Sequence, residues 1–191
     1  MGKKYDHDLR TDPCVVTVTL ARGLGWGLIG GLVGTVVMDL VLMGALSVVG
    51  LPALTCFSIV GNTLARFFSE LGIETTGGVP AGVAAHYVVG PLFGAIYGAA
   101  VIRIAVFNVD TLQKAVLSAI LYAEILSQPI LATTPILLKM TAFTTLKWYG
   151  GSFVMHLLWG IVAGIVVGCG LKIKKNIHPV SFASLHPSID I

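Results

Sequence analysis

The sequence predicts an all-α integral membrane protein, a four-helix bundle made of two tandem helix pairs. Three observations predict this fold: the composition, four long apolar stretches, and a glycine motif that occurs twice. Of the 191 residues, 55% are hydrophobic and only 11% are charged, whereas a soluble domain has roughly 25% charged residues. Such a chain has too few polar side chains to cover a surface in water. Its apolar stretches are therefore predicted to lie in lipid.

Each predicted span is long enough to cross the bilayer, which requires about 20 apolar residues in a helix. The four spans are residues 23–49, 79–102, 112–132 and 150–171. They form a single domain, 23–171, between an N-terminal segment, 1–22, and a tail, 172–191. Residues 55–71 are mixed in character and predict an amphipathic helix on the surface or packed over the bundle. Residues 135–147 predict a shorter segment of the same kind.

The distribution of Lys and Arg predicts the orientation. Nine lie on one side of the predicted spans and three on the other, and the more positive side is usually cytoplasmic. The nine are Lys3, Lys4, Arg10, Arg22, Arg103, Lys114, Lys172, Lys174 and Lys175, and the three are Arg66, Lys139 and Lys147. We therefore expect a multi-pass protein of the cell (plasma) membrane with both termini in the cytoplasm. A net charge of +3 is too small and too local to suggest nucleic acid as a partner.

The second and fourth spans share the pattern HxxxGxxxGxxxG, which indicates an internal repeat. One copy is His86 with Gly90, Gly94 and Gly98, and the other is His156 with Gly160, Gly164 and Gly168. In the first and third spans, Gly30, Gly34 and Asp39 align at a constant offset with Ala115, Ala119 and Glu124. Since each repeat contains two spans, the halves should be related by a pseudo-two-fold axis along the membrane normal. Glycines four residues apart allow close helix packing in membranes, which is their predicted role.

Four ionisable residues lie well inside the predicted spans: Asp39, His86, Glu124 and His156. A charge at mid-bilayer costs about 2.5 kcal/mol or more, so such residues usually face the interior of a bundle. At 1.5 Å per residue, all four fall at a similar depth, roughly 18–24 Å from the cytoplasmic ends of their helices. The sequence thus predicts one polar layer in the outer half of the membrane, with Gln128 one turn beyond Glu124 as a further member.

Three interpretations of this layer remain open. The acids and histidines satisfy one another and fix the helix register, or they form a path for protons or a small solute. In the third, the two carboxylates and two histidines bind a divalent metal, or His86 and His156 bind the iron of a haem. We expect no cofactor, because no local EXXH motif is present. The sequence also lacks the motifs of hydrolases, phosphate-binding loops and metalloproteases, so no catalytic residue is predicted.

Three segments together resemble a family of small bacterial and archaeal membrane proteins, the YagU-like group. They are GLIGGLVGTVVMDLVL, AAHYVVGPLFGAIYG and FVMHLLWGIVAGIVVG. The resemblance extends from about Gly25 to Gly170 and includes a histidine that precedes a tyrosine, His86 and Tyr97, and another that precedes a tryptophan, His156 and Trp159. It implies the same four-span topology and directs attention to the histidines. The group has no assigned biochemistry, so the resemblance implies no activity.

The leading prediction is a non-catalytic membrane component, either an accessory subunit of a larger membrane complex or a homo-oligomer. The glycine runs exceed what four helices need internally, which favours other membrane subunits, or the chain itself, as partners beside the lipid bilayer. The alternatives are a small transporter or proton-conducting protein that uses the polar layer, and a haem- or metal-binding subunit of a membrane oxidoreductase.

Overall fold

The computed structural model of the protein describes residues 19–104 and 109–171. Within these residues the chain forms five helices: α1 (Leu20–Val48), α2 (Thr55–Glu70), α3 (Gly78–Arg103), α4 (Leu112–Leu137) and α5 (Ala142–Gly170). Residues 1–18 and 172–191, which hold most of the predicted N-terminal segment and the whole predicted tail, lie outside the described residues. We call the end of the bundle at which α1 begins the proximal end, and the opposite end the distal end.

Four of these helices, all but α2, are long and apolar enough to cross a membrane. Their packing is the reverse of a soluble core, with large apolar side chains outside and small residues inside. Leu40, for example, is 63% exposed, whereas the neighbouring Asp39 is 3% exposed. Lipid is the medium that tolerates such a surface, and small residues at the helix contacts are typical of membrane bundles. The chain is therefore a multi-pass membrane protein.

Both helices of the second pair are longer than predicted. The prediction ends the third span at residue 132, but α4 continues through Pro129 and Pro135 to Leu137. Pro135 has no N–H to donate to the carbonyl of Leu131, and the indole Nε1 of Trp148 donates to that carbonyl instead, at 3.1 Å.

The prediction starts the fourth span at residue 150, but α5 begins at Ala142, where the side chain of Thr141 accepts a hydrogen bond from Thr144 N. The separate amphipathic segment predicted at 135–147 is therefore not formed. Its residues extend α4 and α5, apart from the short connection at 138–141.

Helices α1 and α3 pack antiparallel along their glycines. A methyl group added at Gly94 would overlap the carbonyl oxygen of Gly27 and lie 2.6 Å from Gly31 Cα. Gly98 meets the backbone of Gly23 and Gly27 in the same way, and Gly90 meets the side chain of Thr35. Only glycine allows such a close approach, which brings the two backbones into direct contact.

Helices α4 and α5 form the second antiparallel pair. A methyl group added at Gly160 would lie 2.6 Å from Ile120 Cα, and one at Gly164 would lie 2.7 Å from Val116 Cα. At the proximal end, one at Gly168 would lie 2.8 Å from Leu112 Cδ1. In this pair the glycines lie on α5 and face larger residues of α4.

The two pairs are joined by α1 and α5. A methyl group added at Gly30 would lie 3.1 Å from Ala163 O, and one at Gly34 would lie 3.1 Å from Trp159 Cδ1. The indole of Trp159 donates to Thr35 Oγ1 at 3.2 Å. At the proximal end, the Arg22 guanidinium donates to the carbonyl of Gly170 at 3.0 Å. The beginning of α1 therefore lies against the end of α5.

Two tyrosines connect α3 with α4 in the proximal half. Tyr97 is fully buried and donates to the carbonyl of Ala115 at 2.6 Å. Tyr122 donates to the carbonyl of Phe93 at 3.0 Å, and the two tyrosine rings lie 5.4 Å apart. These contacts hold the two helices together on the proximal side of the polar residues described next.

Candidate functional site

Asp39 of α1 and His86 of α3 form a buried pair. The glycine contacts set the register of these helices, so that Thr35 faces Gly90 and, one turn further toward the distal end, Asp39 faces His86. His86 Nδ1 lies 2.9 Å from Asp39 Oδ1, and the two side chains are 14% and 3% exposed. The ring of Phe57 packs edge-on against the imidazole, 5.0 Å between centroids. This pairing offsets part of the cost of placing an acid inside the bundle.

The α4/α5 pair carries the other predicted acid and histidine without a bond between them. Gly160 packs on Ile120, so one turn further toward the distal end the same register places Glu124 opposite His156. Both carboxylate oxygens of Glu124 and the Nδ1 atom of His156 are buried and have no hydrogen-bond partner among the described residues. The structure therefore joins one acid to one histidine and leaves the second acid and histidine without hydrogen bonds at these atoms.

Gln128 does not contact the Asp39–His86 pair. Its side chain is exposed, and its amide donates to the backbone carbonyl of Glu124 at 3.1 Å, within its own helix.

A cavity of about 500 Å³ lies in the distal half of the bundle, and residues of all five helices line it. Phe93, Trp159 and Thr35 line its proximal end. Lys147 and Trp148, near the beginning of α5, line its distal end. His86 and His156 both line the space between. Most of the wall is apolar, contributed by Leu, Ile, Val, Met, Phe and Trp side chains.

Helix α2 completes the wall between α3 and α4. Gly61 packs against the backbone of Gly78 and Gly82 on α3. On the other side, the hydroxyl of Thr63 lies 3.3 Å from that of Thr134 on α4. Because the tyrosine contacts hold α3 and α4 together only in the proximal half, this inserted helix keeps an open space between them in the distal half. The prediction of a helix at residues 55–71 is thus confirmed by α2 at Thr55–Glu70, but this helix lies between α3 and α4, not on the surface or over the bundle.

Cys56, at the start of α2, also lines the cavity. Burial of its thiol, with the negative charge of Asp39 as a smaller contribution, raises the pKa of Cys56 to about 11. The neutral form is therefore favoured, since burial away from water disfavours the thiolate. A cysteine of this kind is an inert wall residue and not a nucleophile.

The predicted metal site has no preformed ligand set in the described part of the chain. There, no group of three or more His, Cys, Asp or Glu side chains is placed to hold a metal ion. The two candidate ligands, His86 and His156, share the cavity wall, but Nδ1 of His86 is occupied by Asp39.

The sequence indicates the ionisable residues of this region but not the cavity. Asp39, His86, Glu124 and His156 were predicted to lie at one depth. The structure brings Asp39 and His86 into contact and places both histidines, but not Glu124, on the cavity wall. The cavity depends on where α2 inserts, and the mixed composition of residues 55–71 carries no signal for that position.

Comparisons of the chain with protein-family models, with curated proteins and with solved structures give no match. The interpretation of the site therefore rests on its residues and their geometry.

Proposed function

We propose that this multi-pass membrane protein binds a lipid-soluble small molecule in the cavity of its distal half. The cavity itself carries the proposal. Its volume of about 500 Å³ falls within the roughly 300–1,000 Å³ of known ligand sites, which are also mostly apolar with a few converging polar groups. Here the polar groups are His86, His156, Lys147 and a few hydroxyls in a wall that is mostly apolar. A ligand with an apolar body and a polar group matches this arrangement.

The ligand-binding proposal replaces the accessory subunit as the leading function. That prediction relied on a surplus of glycines that would seek partners outside the chain. The glycines in question are Gly30, Gly34, Gly90, Gly94, Gly98, Gly160, Gly164 and Gly168, and a methyl group added at any of them would meet another helix of the same chain. Their number is therefore no longer an argument for other membrane subunits or for a homo-oligomer.

The second candidate function is proton-coupled movement of the same ligand. His86 lines the cavity and is bonded to Asp39, and an acid bonded to a histidine inside a membrane is a common proton-transfer element. Protonation of Asp39 would remove its charge and weaken its hold on Nδ1 of His86, which would change the wall that the ligand meets. Flux that persists unchanged after Asp39→Asn would remove this candidate and leave ligand binding intact.

We also propose that the two helix pairs are repeats. Three contacts in the first pair support this, because each corresponds, at constant sequence offsets, to a contact in the second pair. The contacts in the first pair are Thr35–Gly90, Gly31–Gly94 and Gly27–Gly98. The corresponding contacts in the second pair are Ile120–Gly160, Val116–Gly164 and Leu112–Gly168. We propose further that both termini lie in the cytoplasm, which the charge distribution supports. We also propose that the chain is related to the YagU-like group, which the shared motifs support.

The test of ligand binding compares two adjacent glycines of α5. Gly150 and Gly151 are both exposed, and a methyl group at either would have no atom within 4 Å, but only Gly151 lines the cavity. We expect wild type and Gly150→Phe, purified in mild detergent, to retain a stoichiometric amphiphile on native mass spectrometry and solvent extraction. Gly151→Phe should lose it. Equal retention by the two variants would contradict the proposal, and a visible absorption band in the wild type would favour the haem alternative.

A further inference from the structure

We infer that the ligand is a single-chain anionic amphiphile, with its anionic group at Lys147 and its hydrocarbon chain directed toward Trp159. This inference rests on the proposed function and adds the chemical class and the direction of the ligand. Three features of the wall carry it: the sign of its ionisable groups, their positions along the cavity, and the character of its proximal end.

Apart from the Cys56 thiol, the ionisable side chains of the described residues that line the cavity are all basic. They are His86, Lys147 and His156, and the described residues that line the cavity include no Asp or Glu. Asp39 does not line the cavity: its Oδ1 is paired with the lining residue His86 at 2.9 Å, and its Oδ2 is buried inside the bundle. Since a charge inside an apolar site is favoured only next to its opposite, this wall selects against cations and accommodates an anion.

Lys147 is the group that can hold an anion near water. It lies near the beginning of α5, at the distal end of the cavity, and is exposed. Its amino group lies 4.2 Å from the centre of the Phe143 ring, and no acidic side chain among the described residues forms an ion pair with it. An ammonium group on an aliphatic stem commonly lies along apolar surface with its charge at the boundary with water. The anionic group of an amphiphile would reach it there.

The proximal end of the cavity fits a hydrocarbon chain. Phe93, Trp159 and Gly90 form part of it. The one indole donor there, Trp159 Nε1, is already bonded to Thr35 Oγ1, whose own proton is donated to the carbonyl of Gly31 at 2.8 Å. Polar groups at this end are thus satisfied within the protein, and a polar ligand group would find little to bind there. A methyl-terminated hydrocarbon chain has no polar group that needs a hydrogen-bond partner, so it suits such apolar surroundings.

Brominated fatty acids test the direction of the ligand, because bromine quenches tryptophan fluorescence only at close range. The chain has three tryptophans: Trp148 at the distal end of the cavity, Trp159 at the proximal end, and Trp26, which packs against Gly170 away from it. In single-tryptophan variants in neutral detergent, bromines near the methyl end should quench Trp159 more than Trp148. Bromines near the carboxylate should quench Trp148 more, and Trp26 should respond to neither beyond the detergent background.

The charge of the ligand is tested with oleate, methyl oleate and oleylamine as competitors of the brominated acid. We expect oleate to compete at least tenfold better than either uncharged or cationic analogue, and Lys147→Ala to abolish that preference. Lys147→Arg should retain it, and so should Lys139→Ala, which removes an exposed lysine that does not line the cavity.

The outcomes separate the inference from the proposed function. Equal competition by all three amphiphiles, blocked by Gly151→Phe, would overturn the anionic assignment and leave the cavity as a ligand site. Competition that favours oleylamine, or stronger quenching of Trp148 by bromines near the methyl end, would also overturn the inference. Quenching of Trp148 and Trp159 that persists unchanged in Gly151→Phe would place the fatty acid outside the cavity and contradict both.

Discussion

Asp39 and His86 form a buried pair that the glycine register of α1 and α3 brings together, and His86 carries a polar group to the cavity wall. The acid lies in the interior face of α1, next to a leucine that faces lipid, and it meets a histidine from the antiparallel helix at 2.9 Å. Its second oxygen, Oδ2, is buried without a hydrogen-bond partner in the described residues. The free energy of the pair therefore depends on a single contact.

Removing one partner should cost more stability than removing both. We expect Asp39→Leu and His86→Leu each to lower the free energy of unfolding by about 1–3 kcal/mol, because each leaves a polar group unpaired. The double variant should lose less than either single variant, since replacement of a buried pair by apolar residues is often nearly neutral. Unfolding in mild detergent measures all three. Leu40→Ala, at a lipid-facing position, is the control, and additive losses would mean that the two residues do not stabilise each other.

Cys56 gives a second prediction at this scale, on pH dependence. Since burial raises its pKa to about 11, its thiolate fraction should increase tenfold per pH unit from pH 8 to pH 10. A free cysteine peptide, with a pKa of roughly 8.5, instead approaches a plateau over this range. The rate of iodoacetamide alkylation, measured in a Cys14→Ser/Cys169→Ser background, follows the thiolate. A plateau near pH 9 would show that water reaches this part of α2 freely.

At the scale of helices, glycine contacts decide how closely α1 and α3 approach. Gly94 lies where a methyl group would overlap backbone atoms of Gly27 and Gly31, which cannot rotate away. Gly25, on the same α1 helix, has no atom within 4 Å of such a methyl group. The two positions therefore separate the role of a glycine in packing from its effect on helix propensity.

Gly94→Ala should lower the free energy of unfolding by at least the roughly 1–3 kcal/mol that overpacking costs in well-packed cores. Gly25→Ala should leave it unchanged or raise it slightly, since alanine favours a helix by about 1 kcal/mol over glycine. Thermal unfolding of both variants in the same detergent provides the comparison. Equal effects would mean that α1 and α3 are not in direct backbone contact.

The sequence predicted the spanning helices well because the length of an apolar stretch is a local property. Their ends at α4 and α5 were missed because they depend on distant contacts. The predicted third span ends at residue 132, before Pro135, but the indole of Trp148, 13 positions later in the chain, bonds the carbonyl that this proline leaves free. Thr141 provides an N-cap for α5, whereas the predicted fourth span begins only at residue 150. The cavity was missed for a similar reason, since it requires the position of α2 between two other helices.

The whole molecule departs from two-fold symmetry where the cavity lies. If the pairs are repeats, the contact of α4 with α3 corresponds to that of α1 with α5. Helices α1 and α5 pack closely through Gly30 and Gly34, whereas α3 and α4 touch through Tyr97 and Tyr122 and enclose α2 in the distal half. One interface thus holds the pairs together, and its counterpart provides the space for a ligand.

The orientation of the molecule is testable with two exposed loop positions. Glu74, between α2 and α3, lies at the distal end, and Asp110, before α4, lies at the proximal end near the start of α1. Because nine Lys and Arg residues lie on the predicted proximal side and three on the distal side, the proximal end should face the cytoplasm.

In a cysteine-free background, Glu74→Cys should therefore react with a membrane-impermeant maleimide in intact cells, and Asp110→Cys only after permeabilisation. Labelling of both cysteines in permeabilised cells controls for reactivity. The reverse pattern would invert the orientation and place the distal cavity, with Lys147, at the cytoplasmic face, where its ligand would come from the inner leaflet. Labelling of both cysteines in intact cells would contradict the predicted four-span topology. In that topology one spanning helix, α3, separates Glu74 from Asp110, so the two positions lie on opposite sides of the membrane.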